Sequence, residues 1–464
     1  MYISKHKIRI VTAASLFDGH DVAVNVMRRI MQSSGAEVIH LGHNRSALEI
    51  VECAICEDVQ AIAITSYQGG HIEFFKYIFD LLQERNCSHI KIFGGGGGTI
   101  LPNEIADLQE YGITKIYAPD DGRTMGLQGM IDEVLAYSDF PTIHKDSFTF
   151  NTTNLSITNW KYLGQCITMA EQDYPFVHKL TKKNHKVTPV IGITGTGGSG
   201  KSSLTDELVM RYLRNYSDKS IAIISIDPSK KKTGGALLGD RIRMNAIFNK
   251  RCFMRSLATR SDNSAISNHI NTIINLCKVA GFDIIIVETS GIGQSDAAIV
   301  DICDIPIYVM TPEYGSASQL EKINMLDYAK FIVINKFDKL GALDSLSDVR
   351  KQYKRNHNLF EKPNDELPIF STISSQFNDF GVNLLFNAVL NYINTHFQTE
   401  YKIQIEEQNR NEYTIIPPQR QRYLAEIVET VTAYNQFTIK QADIATKLYQ
   451  VEGTLAQLEK KEII

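Results

Sequence analysis

The feature that most constrains this chain is a glycine-rich stretch between an apolar run and a helical pattern. Residues 195–202 read GTGGSGKS, which fits the pattern G-x-x-x-x-G-K-[ST]. The apolar run at 190–194 predicts a strand, and residues 203–212 predict a helix. In that setting, backbone N–H groups of the glycines surround phosphate oxygens and the helix N-terminus adds its positive dipole end. The stretch therefore predicts a parallel α/β domain that binds a nucleoside triphosphate.

Most residues of this loop have an expected role. Lys201 is the expected catalytic residue because it reaches the β and γ phosphates, and Ser202 offers its hydroxyl to Mg²⁺. The expected phosphate-binding residues are Gly195, Gly197, Gly198, Ser199, Gly200, Lys201, Ser202 and Ser203.

A second motif predicts which base is bound. The sequence NKFD at 335–338 follows an apolar run at 331–334 and resembles the N-K-x-D signature of guanine-nucleotide proteins. The Asp338 carboxylate would accept from N1–H and the exocyclic amine of guanine, a donor pair that adenine lacks. Asn335 and Lys336 would brace the loop and cover the ring. GTP is therefore the predicted nucleotide.

Acidic residues follow two other apolar runs. Glu288 ends the run at 284–287 and Asp227 ends another predicted strand. Proteins with this kind of phosphate loop hold Mg²⁺ and sense the γ phosphate at such strand ends. Gln294 lies a few residues after Glu288 and is the expected residue that orients the attacking water.

The first 140 residues alternate short apolar runs with helical patterns. Strands are predicted at 8–13, 37–41, 61–65, 90–93 and 115–118. Five such repeats predict a parallel sheet with helices on both faces, and ligands bind at the carboxyl ends of its strands. The chain is thus expected to be an α/β protein with a first domain at 1–140, a linker with one helix (159–171) at 141–186, a nucleotide-binding domain at 187–399 and a helical segment at 400–464. Residues 148–157, rich in Thr, Asn and Ser, are expected to be a linker or surface connection.

A polar loop directly after the first strand carries the second predicted site. Its sequence DGHDVA at 18–23 resembles the D-x-H-x-x-G motif of cobalamin-binding domains, which have a flavodoxin-like fold. The resemblance implies that His20 is the lower axial ligand of cobalt. It also implies that Asp18 accepts a hydrogen bond from the other ring nitrogen of His20. Ala23 stands where the motif has glycine. The residues implied to line the slot for the cofactor tail are Ser66, Gly69, Gly70, Gly94, Gly95 and Gly96.

Three stretches of the nucleotide-binding domain carry a more specific resemblance. The sequences DPS at 227–229, GDRIR at 239–243 and ETSGIGQS at 288–295 are similar to those of the G-protein chaperones of adenosylcobalamin-dependent acyl-CoA mutases. The resemblance covers 187–399 and implies that Asp227, Asp240 and Glu288 surround Mg²⁺. Our hypothesis is that GTP binding and hydrolysis reorder residues 227–243 and 291–296 and thereby gate loading of adenosylcobalamin and exclusion of damaged cofactor, which protects the mutase.

The order of the two domains resembles that of the fused isobutyryl-CoA mutases, and this resemblance extends over most of the chain, through PPQR at 417–420. In that family an acyl-CoA-binding (β/α)₈ barrel of ~250 residues follows, which the 65 residues from 400 to 464 cannot form. The expected partner is therefore a mutase barrel, as a separate subunit or as a missing C-terminal part, and the family implies a homodimer. The alternatives are a stand-alone GTP-regulated cobalamin carrier or sensor, and a metal-insertion GTPase, against which the lack of a Cys/His cluster near the loop argues.

Composition excludes several other classes. The formal net charge of -4 gives no electrostatic case for binding nucleic acid or an acidic membrane surface. The apolar runs are of strand length and no signal sequence is evident, so no membrane span and a cytoplasmic location are expected. The seven cysteines form no disulfide framework. Near the end, Ile444, Leu448, Val451, Leu455 and Leu458 form a helical apolar seam that packs either on the chain itself or on a partner.

Overall fold

The computed structural model describes residues 2–16, 18–175, 187–230, 232–260, 269–289, 291, 297–314, 317–403 and 423–461. The chain divides into two compact units, residues 1–407 and 408–464. The first unit contains two parallel β-sheets with helices packed on them, and the described part of the second unit is one long helix.

The strands are short, apolar and almost entirely buried, as expected of parallel sheets that are covered on both faces. They are β1 (Arg9–Ala14), β2 (Glu37–Gly42), β3 (Ala61–Thr65), β4 (Lys91–Gly95), β5 (Lys115–Tyr117), β6 (Val190–Gly195), β7 (Ile221–Asp227), β8 (Ala236–Leu238), β9 (Cys252–Ala258), β10 (Ile284–Glu288), β11 (Ile305–Met310), β12 (Phe331–Asn335) and β13 (Ile369–Thr372).

Helices connect most consecutive strands, because a parallel pair needs a crossover connection. They are α1 (Val22–Ser33), α2 (Ala47–Cys56), α3 (His71–Glu84), α4 (Pro102–Tyr111), α5 (Pro119–Ser138), α6 (Trp160–Ala170), α7 (Lys201–Asn215), α8 (Ile270–Ala280), α9 (Ala317–Leu320), α10 (Met325–Tyr328), α11 (Ala342–His357), α12 (Phe380–Phe397) and α13 (Tyr423–Lys461).

The first sheet has the strand order β5-β4-β3-β1-β2-β8, and the second has the order β13-β12-β11-β6-β10-β7-β9. Without β8, the first sheet has the flavodoxin-like order in which the switch point lies between β1 and β3. The five strands predicted in the first 140 residues are all present, with bounds that differ by at most two residues. The predicted α/β fold with a flavodoxin-like first sheet is confirmed.

Strand β8 was not predicted and comes from the nucleotide-binding half of the chain. It pairs in parallel with β2, so that Glu37 lies opposite Ala236 and Ile39 lies opposite Leu238. The Ala236 N–H also donates to the Ala36 carbonyl at 3.1 Å. β8 thereby covers an edge of the first sheet that would otherwise expose unpaired backbone groups.

The segment 148–157, expected to be a linker or surface connection, is mostly exposed or half-buried but carries three buried side chains. Phe148, Phe150 and Leu155 are each less than 10% exposed, and they join the hydrophobic core beneath the second sheet. The predicted helix of this segment is present as α6, which packs against α2 and α8. Gly164 permits that approach, because a Cβ there would lie 3.0 Å from the carbonyl oxygens of Ile55 and Cys56.

The helix α13 is 39 residues long and carries the predicted apolar seam. The five seam side chains from Ile444 to Leu458 are each at least half exposed along this helix. None of the described helices combines the length and the apolar character needed to cross a membrane. The predicted helical character of the C-terminal segment is confirmed for the residues of α13.

Candidate functional site

The glycine-rich loop connects β6 to α7 at the carboxyl edge of the second sheet. Two of its glycines allow contacts that a side chain would prevent. A Cβ at Gly195 would lie 1.9 Å from the Val309 carbonyl oxygen, and one at Gly200 would lie 2.4 Å from Asn335 Nδ2. Lys201 Nζ donates to the carbonyls of Gly195 and Thr196, both at 3.2 Å, so its ammonium group lies inside the loop. Burial lowers the pKa of this lysine, a cost that a bound anion would offset.

Two hydroxyls of the loop are buried without a hydrogen-bond partner. They belong to Thr196 and Ser199, which are 4% and 0% exposed. Buried polar groups are nearly always paired, so an unpaired group indicates a missing partner. Phosphate oxygens are suitable acceptors for both hydroxyls. The loop therefore fits the phosphates of a nucleotide.

Asn335 links the expected base-binding loop to the phosphate loop. Its Nδ2 donates to the Ser199 carbonyl at 2.8 Å. Its Oδ1 accepts from Thr372 Oγ1 at 3.0 Å and from the Ser374 hydroxyl at 2.9 Å. The next residue, Lys336, has a φ of 58°, a left-handed conformation that is uncommon outside glycine and is typical of functional loops.

The exposed Asp338 follows two residues later, with its carboxylate available at the surface. Thr372 and Ser374 were not among the predicted residues. Thr372 is the last residue of β13 and Ser374 lies two residues later, at the same sheet edge as the phosphate loop. The available signal was a polar sequence, STIS, at the end of an apolar run, which by itself is weak.

Two carboxylates contact Ser202, and a third lies nearby. The Ser202 hydroxyl lies 2.7 Å from Glu288 Oε1 and 3.1 Å from Asp240 Oδ1. Thr205 Oγ1, which was not predicted, donates to the other Glu288 oxygen at 3.0 Å. Asp227 lies nearby, where its Oδ2 accepts from the backbone N–H of Gly239 at 3.3 Å.

Electrostatics make this carboxylate group suited to a cation. Burial and the charge of Asp240 raise the pKa of Glu288 to about 8, and burial with both other carboxylates raises the pKa of Asp227. A divalent cation would remove this repulsion. Among the described residues, no three His, Cys, Asp or Glu side chains form a ready-made metal cage. The arrangement instead fits Mg²⁺, which binds through one or two carboxylates together with phosphate and water.

The second site lies at the carboxyl edge of the first sheet, after β1. Asp18 is 1% exposed, and its Oδ1 lies 2.8 Å from His20 Nδ1. Its Oδ2 accepts from the Tyr67 backbone N–H at 2.6 Å. Burial opposes ionisation of Asp18, but these hydrogen bonds outweigh it and the pKa is lowered. With Nδ1–H donating to Asp18, the other ring nitrogen, Nε2, would carry no proton and could bind a metal. The His20 side chain is 66% exposed, so the ring is accessible.

A cavity of about 290 Å³ opens beside this loop and is lined mainly by apolar groups. Gly94, Gly95 and Gly96 form one wall and Ala23 lies on another. A Cβ at Gly94 would lie 2.4 Å from the Phe75 ring, so this wall is packed from behind and has no room for a side chain. Such a slot fits a flat, bulky group.

The predicted serine and glycines of the neighbouring loop lie at the same edge. Ser66 accepts a hydrogen bond from Ser15 Oγ at 2.9 Å through its own Oγ. Gly70 begins α3 with a φ of 86°, a conformation that favours glycine.

Comparison with known proteins identifies both halves of the chain. Residues 163–433 match the family described as the methylmalonyl-CoA mutase-associated GTPase MeaB. The chain belongs to the MeaB family. In this MeaB-family chain, residues 8–122 also match the B12-binding domain.

Curated relatives contain both parts in one polypeptide. Proteins named fused isobutyryl-CoA mutase from Geobacillus kaustophilus, Cupriavidus metallidurans and Nocardia farcinica are 52%, 50% and 45% identical to this MeaB-family chain. Each match covers 98% of this chain and 42–43% of the relative. The chain thus spans less than half the length of these relatives.

These findings confirm the predicted resemblance and the pairing of a cobalamin-type domain with a GTPase module. The predicted roles of individual residues stay predictions. Gln294 and most of the segment 291–296 lie outside the described residues. Gly291 is described, and a Cβ there would lie 2.7 Å from Gly197 Cα, so this residue lies directly against the phosphate loop.

Proposed function

We propose that this chain is the adenosylcobalamin-binding and GTP-hydrolysing part of an isobutyryl-CoA mutase, in which the GTPase gates loading of the cofactor. The main support is strand β8, because the backbone between Asp227 and Asp240 supplies a strand to the sheet that carries His20. The rearrangement itself requires an acyl-CoA-binding barrel outside these residues. The working form is a cytoplasmic homodimer.

At the nucleotide site, Lys201 exchanges its two carbonyl partners for β and γ phosphate oxygens. The hydroxyls of Thr196 and Ser199 gain acceptors at the same time. Ser202, Asp227, Asp240 and Glu288 surround Mg²⁺, directly or through water. Asp338 selects guanine, and Gln294 orients the attacking water.

At the cofactor site, His20 would hold cobalt through Nε2, while Asp18 holds Nδ1. The apolar cavity beside Gly94 would hold the nucleotide tail of the cofactor. Adenosylcobalamin, when bound, supplies the radical chemistry of the carbon-skeleton rearrangement. The chain itself contributes the orientation of His20, since the buried Asp18 is held from the opposite side by the Tyr67 N–H.

Coupling follows from the position of β8 between two magnesium-site carboxylates. A change at Asp227 or Asp240 during hydrolysis shifts the ends of β8, which is hydrogen-bonded to β2. β2 pairs with β1, and β1 leads directly into the loop of His20. The nucleotide state can therefore bias the geometry of the cofactor site.

An absorbance titration with adenosylcobalamin tests the proposal, because exchange of the benzimidazole for an imidazole changes the cobalt spectrum. We expect a saturable change in wild type and in Lys201→Ala, and none in His20→Ala. In wild type, the Kd should differ about fivefold or more between GDP and a non-hydrolysable GTP analogue. Lys201→Ala should lower GTP hydrolysis by about 100-fold or more.

Each part of the proposal has its own contrary result. A wild-type spectral change in His20→Ala would remove His20 from the cobalt. A Kd that is independent of the nucleotide would contradict gating and leave both binding sites in place. Undiminished hydrolysis by Lys201→Ala would refute the assigned nucleotide site.

A further inference from the structure

The residue after Asp240 leads away from the nucleotide site. Asp240 and Arg241 begin a short 3₁₀ helix, Asp240–Arg243, in which successive side chains diverge by about 120°. Asp240 lies beside Ser202, as described above. Arg241 extends in another direction, and its Nε donates to Glu57 Oε1 at 2.8 Å while its Nη2 donates to the Met254 carbonyl at 2.6 Å.

Glu57 belongs to the cobalamin-type domain and is completely buried at the end of α2. Its carboxylate also accepts from Arg9 Nη2 at 2.5 Å and from the Ser256 backbone N–H at 2.9 Å. Every one of these partners is itself buried. A carboxylate held from so many sides has little freedom to move, so it fixes the guanidinium of Arg241 in turn.

The other side of Asp240 is attached to the same domain. Gly239 alone separates Asp240 from β8, whose register on β2 is fixed by backbone hydrogen bonds. The Asp240 carboxylate also accepts from the Ser225 hydroxyl, and its backbone is held between two attachments, one through β8 and one through Arg241. Both attachments reach the cobalamin-type domain, although Asp240 contacts Ser202 of the phosphate loop and Arg241 is also held by the Met254 carbonyl of β9.

We propose that Glu57 is a positioning residue for GTP hydrolysis, which holds Asp240 at Ser202 by anchoring Arg241. In this arrangement the cobalamin-type domain completes the magnesium side of the nucleotide site. The inference rests on the proposed place of Asp240 in the magnesium sphere. Loss of the Glu57 charge leaves Arg241 buried without its carboxylate, and the segment shifts to relieve that cost.

The test is the Mg²⁺ dependence, in the full chain, of the binding of a fluorescent non-hydrolysable GTP analogue and of GTP hydrolysis, and each shift in Mg²⁺ requirement is expected in both measurements. For Glu57→Gln, we expect the Mg²⁺ concentration that gives half the maximal rate to rise about tenfold or more, as when the supporting shell of a metal site is lost. The KM for GTP at saturating Mg²⁺ should stay close to that of wild type. This division between Mg²⁺ requirement and KM separates positioning from a general loss of structure.

Glu171→Gln is the matched control. The Glu171 carboxylate is 2% exposed and accepts from Arg255 and Arg260, both at 3.2 Å, in the same interface. The Glu171→Gln substitution therefore removes a negative charge that is about as buried as that of Glu57 and leaves the contacts of Arg241 unchanged. We expect its Mg²⁺ requirement to stay within about twofold of wild type.

Contrary results separate the inference from the function on which it rests. If Asp240→Asn raises the Mg²⁺ requirement and Glu57→Gln does not, Glu57 has no positioning role. If Asp240→Asn also has no effect, the proposed magnesium role of Asp240 fails first. Equal shifts in Glu57→Gln and Glu171→Gln would reduce the effect to interface packing.

Should Glu57→Gln not fold, Arg241→Lys replaces it. This variant keeps the positive charge opposite Glu57 but cannot donate to Glu57 and Met254 in the same geometry. We expect the same rise in Mg²⁺ requirement, and a folded Arg241→Lys with wild-type Mg²⁺ dependence would overturn the inference.

Discussion

At the scale of single residues, the closest backbone approach in the cofactor site is that of Gly96. A Cβ there would lie 1.8 Å from the Ser66 carbonyl oxygen, so an added methyl group would force the loops after β3 and β4 apart. We expect Gly96→Ala to lower the free energy of unfolding by about 1–3 kcal/mol, as overpacking does elsewhere. Since Gly96 also lines the cavity, cobalamin binding should weaken. Denaturant unfolding and absorbance titration measure the two effects.

The same run of glycines supplies the control for this prediction. Gly98 has no atom within 4 Å of its ideal Cβ position, and its φ is not in the left-handed region. Gly98→Ala should therefore change stability by less than about 0.5 kcal/mol. Equal destabilisation by both substitutions would show that the Gly96 contact is not the cause.

Sequence indicated contacts between residues of one contiguous motif and missed partners that come from distant strands. The pair of Asp18 and His20 lies within three positions, and its hydrogen bond is present. Asn335 was also identified, but its partners Thr372 and Ser374 are more than 35 residues away on another strand end. Only the parallel pairing of β12 with β13 brings them together.

At the scale of elements, β8 depends on a backbone approach just before it. A Cβ at Gly235 would lie 2.0 Å from the Gln32 carbonyl oxygen at the end of α1. We expect Gly235→Ala to displace the start of β8 from β2, to lower stability by about 1–3 kcal/mol and to speed amide exchange in Ala236–Leu238. Hydrogen exchange followed by mass spectrometry measures the local effect.

Gly239, at the other end of β8, is the matched position. Its ideal Cβ has no neighbour within 4 Å, so Gly239→Ala should leave the exchange of β8 and the stability unchanged. Protection of β8 that is equal in Gly235→Ala and wild type would mean that the strand tolerates the added methyl group.

Element prediction succeeded where apolar runs are long enough to be recognised. The strands β1 to β5 each have a clear run and a following helical pattern, whereas β8 has three residues and lies within a loop motif. Its pairing with β2 is a tertiary effect that local sequence does not encode. For a related reason, the polar composition of 148–157 does not show that three of its apolar side chains are buried.

At the scale of the whole first unit, the two sheets share buried structure rather than meeting at a wet surface. Arg9 and Arg260 both pair with the buried Glu37, at 2.6 and 2.7 Å, and these residues come from opposite halves of the chain. Buried ion pairs contribute little net stability, but loss of one partner is costly because a charge is left unpaired. Separation of the two sheets would expose several such charges together.

The two sheets should therefore unfold as one cooperative unit. Strand β8, helix α6 and the ion pairs of Glu37 all connect the two halves. Separation of the sheets would therefore expose buried backbone, apolar and charged groups on both. Hydrogen exchange against denaturant should give one midpoint for peptides from β1 to β5 and from β6 to β13. A non-hydrolysable GTP analogue, present with Mg²⁺ at about 100 times its Kd, should raise both midpoints together. The expected increase in the free energy of unfolding is about 2.7 kcal/mol. Protection confined to the nucleotide-binding peptides would show instead that the cobalamin-type domain unfolds independently, and a mechanism in which GTP acts on the cofactor site through β8 would lose its physical basis.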